Sequence, residues 1–192
     1  MSPDELDGLY QTLCCSEFCA FDVETTGLSP YTERIVELGA VRFRMVQEGG
    51  QWRHEELGGY NRLVNPGIPI PAYASAIHGI SDLDVSGEAR FTEQSDELFN
   101  FVGDSVFVAH NAAFDMGFVR EECQRAGLPC PPNPAYDTIQ LAMSAVPHLP
   151  SYALQSLAKS FALDTGNAHR AYDDARTCMH IFARCVSLLY SN

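Results

Sequence analysis

The sequence predicts an α/β fold built around a mixed β-sheet. Three strand-like segments come first, at residues 18–24, residues 34–46 and Tyr60–Val64, each rich in apolar residues and bounded by turn residues. Helix-like segments follow, and a short buried strand is predicted among them at Val106–Ala109. Strands in succession, followed by helices around further strands, are typical of a sheet with helices packed against it.

The N-terminal residues 2–14 predict a short helix. Ser2-Pro3-Asp4-Glu5 has the pattern of a capping box with proline at the first helical position. Apolar residues recur on one face of this segment, at Leu6, Leu9, Tyr10 and Leu13. We therefore expect residues 1–16 to form a helix that docks on the sheet.

The rest of the chain alternates between turn signals and helical patterns. Residues 47–59 are polar and glycine-rich, which predicts a hairpin tip. A helix over residues 112–126 should end at Gly127, and the loop Pro129–Pro134 should lead into a helix capped by Asp137. Further helices are predicted near residues 71–77 and 92–102, at Leu154–Phe161 and at Ala171–Tyr190.

Length and cysteine content favour one domain in a reducing compartment. A chain of 192 residues is one domain by length. Residues 1–16 lack the basic start and apolar core of a signal peptide, and no stretch approaches the roughly 20 apolar residues of a membrane span. The expected location is the cytoplasm, with no membrane partner. Seven cysteines without C-x-x-C or paired zinc-ligand spacing then favour free, mostly buried thiols.

The net charge of −13 restricts how this chain could bind nucleic acid. Lys159 is the only lysine among its 12 basic residues. A protein that grips duplex DNA usually carries a basic face. Any nucleic acid should therefore be held over a few nucleotides, with metal ions supplying local positive charge, or be brought by a partner.

Two acidic residues close the first predicted strand, in Phe21-Asp22-Val23-Glu24-Thr25-Thr26-Gly27. Alternation along a strand puts Asp22 and Glu24 on one face. Two acids side by side at the end of an apolar strand repel each other and lose solvation, and a divalent cation commonly offsets that cost. A solvated strand end with incidental acids stays open as the alternative for this pair taken alone.

A third acid lies where a strand leads into a helix, in His110-Asn111-Ala112-Ala113-Phe114-Asp115. Asp115 falls in the first helical turn and shares a face with Phe118 and Val119. We expect its side chain to point toward the sheet. An aspartate there could also serve only the helix dipole, and the inward direction weakens that interpretation.

The fourth acid lies at the start of the last predicted helix, in His169-Arg170-Ala171-Tyr172-Asp173-Asp174-Ala175. Asp174 shares a helical stripe with Cys178 and Ile181, whereas Asp173 falls on a polar face. Asp174 should therefore point inward. His169 precedes the helix, where it can overhang the same site.

These segments, in this order, resemble the DEDDh exonuclease superfamily, which is named after four acidic residues and a histidine. The pattern reads Asp22-x-Glu24, Asp115 and His169-x4-Asp174. Other segments look like the proofreading epsilon subunit of bacterial DNA polymerase III and its relatives: Thr25-Thr26-Gly27-Leu28, Asn65-Pro66, Ala76-Ile77-His78-Gly79-Ile80, His110-Asn111-x-x-Phe114-Asp115 and Asp137-Thr138. The resemblance covers roughly residues 17–187, the expected catalytic core of a single exonuclease domain over residues 1–192.

The resemblance implies a ribonuclease H-like exonuclease fold, with a mixed five-stranded sheet flanked by helices, and a two-ion mechanism. Asp22, Glu24 and Asp174 would bind the first divalent ion, Asp22 would reach the second, and Asp115 would act through water or the outer shell. Magnesium or manganese suits such an all-oxygen site, and two ions about 4 Å apart can clamp one phosphodiester. His169 would be the general base, because an ordinary histidine pKa of about 6.5 suits deprotonating water near neutral pH. A capping or core histidine is the alternative.

Six further residues are candidates for substrate binding: Thr25, Thr26, Ile77, His78, Asn111 and Phe114. The two threonines would offer donors to the terminal nucleotide. Ile77 and His78 occur where relatives contact the 3′-terminal nucleoside, and Phe114 could stack on a base. Core packing stays open for Ile77 and Phe114, as does turn bracing for Asn111. Arg170 is expected to lie on the surface.

The leading prediction is a metal-dependent 3′–5′ exonuclease that releases nucleoside monophosphates from DNA 3′ ends, single-stranded or frayed. It would act in proofreading, with a DNA polymerase catalytic subunit as partner, or as a stand-alone repair enzyme. One alternative is RNA 3′-end trimming of the RNase T or oligoribonuclease kind, because the motifs do not read the sugar. The other is a non-catalytic module that binds nucleic acid or a polymerase, which the presence of all five expected side chains disfavours.

Overall fold

A five-stranded mixed sheet forms the centre of the computed structural model, which describes residues 1–191. Its spatial order is β3-β2-β1-β4-β5. The pairs β1–β2 and β2–β3 are antiparallel, and the pairs β1–β4 and β4–β5 are parallel. The prediction of a mixed five-stranded sheet is confirmed. The strands are β1 (Glu17–Thr25), β2 (Ile35–Glu48), β3 (Gln51–Leu63), β4 (Val106–Ala109) and β5 (Ala135–Asp137).

Helices cover both faces of this sheet, and those whose bounds were predicted begin and end within a few residues of the predicted positions. They are α1 (Pro3–Leu13), α2 (Ala72–His78), α3 (Asp82–Val85), α4 (Phe91–Val102), α5 (Ala112–Ala126), α6 (Thr138–Ala145), α7 (Leu154–Ser160) and α8 (Ala171–Tyr190).

Alternation along β1 divides the core into two layers. Phe18 and Ala20 face a layer that contains Phe182 of α8, together with Leu9 and Leu13 of α1. Burial of those two leucines confirms that α1 docks on the sheet, and the capping box between Ser2 and Glu5 is formed. Cys19, Phe21 and Val23 face the opposite layer, which is covered by α4 and α5. By the same alternation, the side chains of Asp22 and Glu24 lie on the α8 side.

The predicted hairpin tip at residues 47–59 is wrong in extent. Only Gly49 and Gly50, both at positive φ, form the turn between β2 and β3. The strand β3 starts at Gln51 and includes the region that composition assigned to a loop. Trp52 is buried beside α1 and α8, and Gly59 is needed because an added Cβ would lie 2.6 Å from the Tyr172 hydroxyl. Gly49 and Gly50 thus form the turn, whereas Gly59 serves the packing of α8 against β3.

Two short elements were not predicted. The strand β5 follows the proline-rich loop directly and pairs with β4 through Ala109 and Asp137. Asp137 ends that strand and also caps α6, because its carboxylate accepts the Ile139 amide at 2.8 Å. The cap is confirmed, but only long-range pairing reveals the strand. The single-turn helix α3 is the other addition.

Among residues 1–191, no helix combines the length and the apolar content required to cross a bilayer.

Candidate active site

The strand β1 carries two acids to the α8 face of the sheet. Asp22 and Glu24 are half-buried, and their cross-strand partners on β2 are Gly39 and Glu37. Because the partner of Asp22 is a glycine, the backbone of Ala171 at the start of α8 can approach β2 closely. Each acid therefore opens toward the start of α8 rather than toward α4 and α5.

The third acid reaches β1 from α5. Asp115 is 2% exposed, and its Oδ1 accepts the backbone amide of Val23 at 3.1 Å. The helix begins after Asn111, which adopts a left-handed conformation with φ of 67° and turns the chain out of β4. This turn directs the first helical turn at the sheet, so the predicted inward direction of Asp115 is confirmed.

The fourth acid and the histidine lie at the start of α8. Asp174 is 6% exposed, which confirms that it points inward. Its Oδ1 accepts the Gln155 amide at 3.1 Å, and its Oδ2 accepts the backbone amide of His169 at 2.9 Å. The imidazole of His169 is exposed. One carboxylate therefore fixes both the helix start and the backbone of the histidine.

Three of these side chains form a compact group. One ligand atom each from Glu24, His169 and Asp174 lies within 4.8 Å of the other two. Asp22 and Asp115 are not members of this set of three, but the charge of Glu24 is close enough to raise the pKa of each. The four acids that the sequence singled out thus come from β1, α5 and α8 to one end of the sheet, and His169 joins them from the segment just before α8.

Burial and mutual repulsion raise the pKa values of Asp22, Glu24, Asp115 and Asp174. Desolvation is the largest cause in each case, and it raises the pKa of Glu24 to about 8. For Asp22, the neighbouring charges of Asp115, Glu24 and Asp174 raise the pKa further. The pKa values of Asp115 and Asp174 are also raised, although backbone amides at Val23 and His169 work against the shift. Such a site favours positive charge.

Sequence reasoning missed a fifth acid, Glu37. It is fully buried on β2, opposite Glu24, and forms an ion pair with Arg170 at 2.6 Å. The prediction that Arg170 lies on the surface holds only in part: its side chain is 43% exposed, but its guanidinium also donates to this buried carboxylate. A lone glutamate inside the apolar run Ile35-Val36-Glu37-Leu38 was the available signal.

The two threonines after Glu24 lie in different environments. Thr26 is fully buried and uses both of its donors inside the loop, its amide to the Arg34 carbonyl and its hydroxyl to Glu33. The predicted donation from Thr26 to a nucleotide would require one of these bonds to break. The Thr25 hydroxyl donates to the Gly27 carbonyl at 2.7 Å. Both side chains therefore brace the turn after β1.

The other candidate substrate residues divide by exposure. Ile77 is 58% exposed, so the core-packing interpretation does not hold for it. His78 is buried, its Nδ1 accepts the Ile80 amide at 3.0 Å, and burial lowers its pKa. Phe114 is half-buried with its ring centre 5.0 Å from that of Phe118. Asn111 is exposed at the head of α5.

The donor set fits a hard divalent cation. Carboxylate oxygens dominate the group, and burial together with the charges of neighbouring acids raises the pKa values of Asp22 and Glu24. Oxygen ligands of this kind suit magnesium, calcium or manganese. The arrangement is thus an acidic site able to hold metal, with a histidine on its exposed side.

Comparison with known proteins agrees with this geometry. A family model described as "Exonuclease" (RNase_T) matches residues 19–182. The chain belongs to this exonuclease family. The match extends from β1 into α8 and therefore includes the four acids and His169.

Relatives of this exonuclease domain include replication proteins. Over 175 residues it is 37% identical to "DNA polymerase III subunit epsilon" of Treponema pallidum, covering 88% of this chain and 76% of the relative. Over 171 residues it is 37% identical to "DNA polymerase III PolC-type" of Halalkalibacterium halodurans, covering 89% of this chain. The chain spans only 11% of the length of that PolC-type relative. The resemblance to epsilon and its relatives is confirmed.

A solved structure shares the fold. "Exonuclease X in complex with 5′ overhanging duplex DNA" superposes with a TM-score of 0.65 and 26% identity, covering 88% of this chain and 90% of the other. The ribonuclease H-like exonuclease fold implied by the motifs is thereby confirmed.

Proposed function

We propose that this protein is a metal-dependent 3′–5′ exonuclease that releases nucleoside monophosphates from DNA 3′ ends. The observation that carries the proposal is the convergence of Glu24, Asp174 and His169 within 4.8 Å, with Asp22 and Asp115 adjoining them. A buried cluster of mutually repelling acids beside an exposed histidine suits metal-assisted hydrolysis of a phosphodiester. The 3′–5′ direction of degradation is the one that the DEDDh resemblance implies.

Two divalent ions, Mg²⁺ or Mn²⁺, would be held by the acids. Asp22, Glu24 and Asp174 would hold the first, Asp22 would also reach the second, and Asp115 would act from the outer shell. When bound, such ions neutralise the phosphate and make water easier to ionise. The chain's own contribution is to fix the acids on rigid elements, with the Val23 amide holding Asp115 and Gln155 holding Asp174.

His169 would accept the proton of the attacking water on its imidazole. Its exposed ring lies on the open side of the acids, where water and a phosphodiester can enter. Its backbone amide is tied to Asp174, so the ring is carried by the same helix start as that acid. Because folding already fixes the position of this base, no conformational entropy has to be lost to orient it during the reaction.

The terminal nucleotide would lie between α2 and α5. Ile77 offers an exposed apolar surface, and Phe114 offers a ring edge. His78 Nε2 is buried without a hydrogen-bond partner in the described part of the chain. Because Nδ1 accepts a backbone amide, Nε2 carries the proton, and the backbone of Thr25 is close enough to act on the pKa of this ring. Asn111 and the backbone around Thr25 and Thr26 complete this side of the proposed cleft.

DNA is the proposed substrate because the named relatives belong to DNA polymerase III. A polymerase catalytic subunit is the proposed partner, in proofreading, and repair is the other setting. The net charge of −13 supports a short contact with a single-stranded or frayed end rather than a duplex grip. Residues 1–192 would form one exonuclease domain, with residues 17–187 as the catalytic core and α1 docked on it.

Degradation of 5′-labelled oligonucleotides tests this proposal. Single-stranded, paired and mismatched DNA and matched RNA would be incubated with purified protein and Mg²⁺ or Mn²⁺, with EDTA as the control. We expect a ladder shortened from the 3′ end on DNA, which EDTA abolishes. A preference for RNA above about tenfold, equivalent to about 1.4 kcal/mol, would replace DNA by RNA as the substrate. No metal-dependent cleavage by folded protein would instead support a non-catalytic binding module.

A further inference from the structure

Glu37 is a buried acid to which the proposed hydrolysis assigns no role. It is fully buried on β2, directly opposite Glu24. Arg170 donates to it through Nε, 3.1 Å from Oε2, and through a terminal guanidinium nitrogen, 2.6 Å from Oε1. The backbone amide of Ala171 donates to Oε2 at 3.0 Å. One carboxylate thus binds the side chain before α8 and the first amide of α8.

The start of α8 lies unusually close to β2. Gly39 has the backbone of Ala171 so near that a Cβ built on the glycine would overlap the Ala171 carbonyl group. Glu37 and Gly39 are two residues apart and share a face of the strand. The helix start is therefore placed by direct backbone contact at Gly39 and by hydrogen bonds at Glu37.

His169 lies between two such anchors. On one side its own amide donates to Asp174 at 2.9 Å, and on the other side Arg170 is bound to Glu37. The backbone of His169 is left-handed, with φ of 61°. Residues other than glycine rarely adopt that conformation and keep it only when surrounding contacts hold it. Both anchors act on the backbone that carries the imidazole.

We propose that Glu37 and Arg170 are a positioning pair that holds the imidazole of His169 over the carboxylates of Glu24 and Asp174. The inference rests on the proposed exonuclease function. Neither residue is assigned a contact with the substrate. Their effect on turnover is exerted through the backbone of His169.

Steady-state kinetics of Arg170 variants test this pair. Lysine keeps the charge but loses the planar fork that bonds both carboxylate oxygens, so Arg170→Lys and Arg170→Gln should each lower kcat by about 10²-fold, as a misplacement near 1 Å can. The KM should change less than about twofold, because substrate affinity is not involved. Arg176→Gln is the matched control: Arg176 lies on α8 and pairs with Glu56 at 3.8 Å, away from His169. Its kcat should equal that of the parent.

A double variant separates positioning from substrate contact. The side chain of Arg170 is 43% exposed, so a direct contact with phosphate is the competing explanation. If Arg170 acts through His169, adding Arg170→Lys to His169→Asn should lower kcat no further. If Arg170 instead contacts phosphate, Arg170→Lys should raise the KM and should lower kcat as much in the His169→Asn protein as in the parent. That result would overturn the proposal.

The NMR signal of the His169 imidazole reports its position without any measurement of nuclease activity. In spectra of protein with ¹³C-labelled histidine, the signal that His169→Asn removes identifies His169. We expect this signal to shift or broaden in Arg170→Lys and Glu37→Gln and to stay in place in Arg176→Gln, with thermal melts confirming folded protein. An unmoved signal in a folded Arg170→Lys protein would refute the positioning role. A parent protein without exonuclease activity would refute the proposed function instead, and this measurement would still decide the positioning.

Discussion

The acidic residues around β1 differ in how their charges are offset. Glu37 has Arg170 and an amide, Asp115 has the Val23 amide, and Asp174 has the His169 amide and Gln155. For Asp22, every cause that shifts the pKa raises it. Asp22 therefore lacks the amide or guanidinium group that offsets the charge of the other three acids, and its ionised form is unfavourable in the metal-free protein.

Removing the charge of Asp22 should abolish cleavage without weakening the metal-free protein. In EDTA at pH 8 we expect Asp22→Asn to melt at the parent's Tm or above, because it relieves repulsion among buried acids. Turnover with Mg²⁺ should be undetectable. Asp104→Asn, which neutralises an exposed acid in the loop before β4, should change neither quantity. A metal-free Tm more than about 4 °C below that of the parent, equivalent to about 1 kcal/mol or more, would contradict this explanation.

Replacing His169 should lower turnover and leave the backbone in place. Asparagine tolerates the left-handed region, so His169→Asn keeps the φ of 61° while it removes the imidazole. We expect kcat to fall about 10²–10⁴-fold, the usual contribution of a general base. His148→Asn is the matched control, since His148 is also exposed and has a φ of 70°. If His169→Asn and His148→Asn had the same kcat, a residue other than His169 would be the general base.

At the scale of single residues, the sequence predicts which way a side chain points better than it predicts which residue that side chain contacts. Strand alternation and helical stripes placed Asp22, Glu24, Asp115 and Asp174 on the correct faces, because these periodicities are local. The ion pair between Glu37 and Arg170 was not predicted, because it joins residues 133 positions apart. The bonds that occupy Thr26 likewise depend on how its loop closes onto Arg34.

At the scale of elements, the contact between α8 and β2 decides the site. The helix start carries both Asp174 and His169, and it rests on Gly39, where no side chain fits. Along β3, Gly59 accommodates Tyr172 in the same way. Two glycines in adjacent strands thus permit the approach that brings α8 to the acids of β1.

An alanine at Gly39 should displace α8. The added Cβ would meet backbone rather than a flexible side chain, so we expect Gly39→Ala to lower the free energy of unfolding by about 1–3 kcal/mol, as overpacking does. Turnover should also fall while the protein is still folded, because Asp174 and His169 move with the helix. Gly87→Ala, where a Cβ meets nothing within 4 Å, is the control for denaturant unfolding and kcat. An unchanged kcat and midpoint in Gly39→Ala would show that the close approach is dispensable.

Long, periodic elements were predictable from the sequence, and elements set by pairing were not. The helix α8 shows its amphipathic stripe over 20 residues, and the capping box fixes the start of α1. The strand β3 has a polar sequence because most of its residues are exposed and only two are fully buried. The strand β5 has only three residues. The strand β5 forms by pairing with β4, from which α5 and a loop separate it, whereas β3 pairs with β2 across a two-residue turn. Local composition encodes neither pairing.

At the scale of the whole molecule, pH and metal act on the same buried acids. The pKa of Glu24 is raised from 4.5 to about 8, so the folded protein keeps a proton that the unfolded chain releases. Its contribution to stability is therefore complete below about pH 4.5 and is lost as pH rises toward 8. This direction is opposite to ordinary acid denaturation, and a bound cation should remove it.

Comparing the parent with Glu24→Gln isolates this effect. In EDTA, the parent's Tm relative to that of Glu24→Gln should fall steadily between pH 5 and pH 8. The half-buried His54, His110 and His180, whose pKa values are lowered, contribute equally to both proteins. Saturating Mn²⁺ should raise the parent's Tm most at pH 8. A Tm difference that is constant across this range would mean that Glu24 ionises as freely as in the unfolded chain.

Calorimetric titration of Mn²⁺ into metal-free protein at pH 7.5 tests most directly whether these acids hold catalytic ions. We expect the parent to bind two ions per chain, and Asp22→Asn and Asp174→Asn to lose one or both together with all cleavage of labelled DNA. Binding of two ions to Asp22→Asn with the parent's affinity, or cleavage by a parent that binds none, would contradict the metal-dependent mechanism.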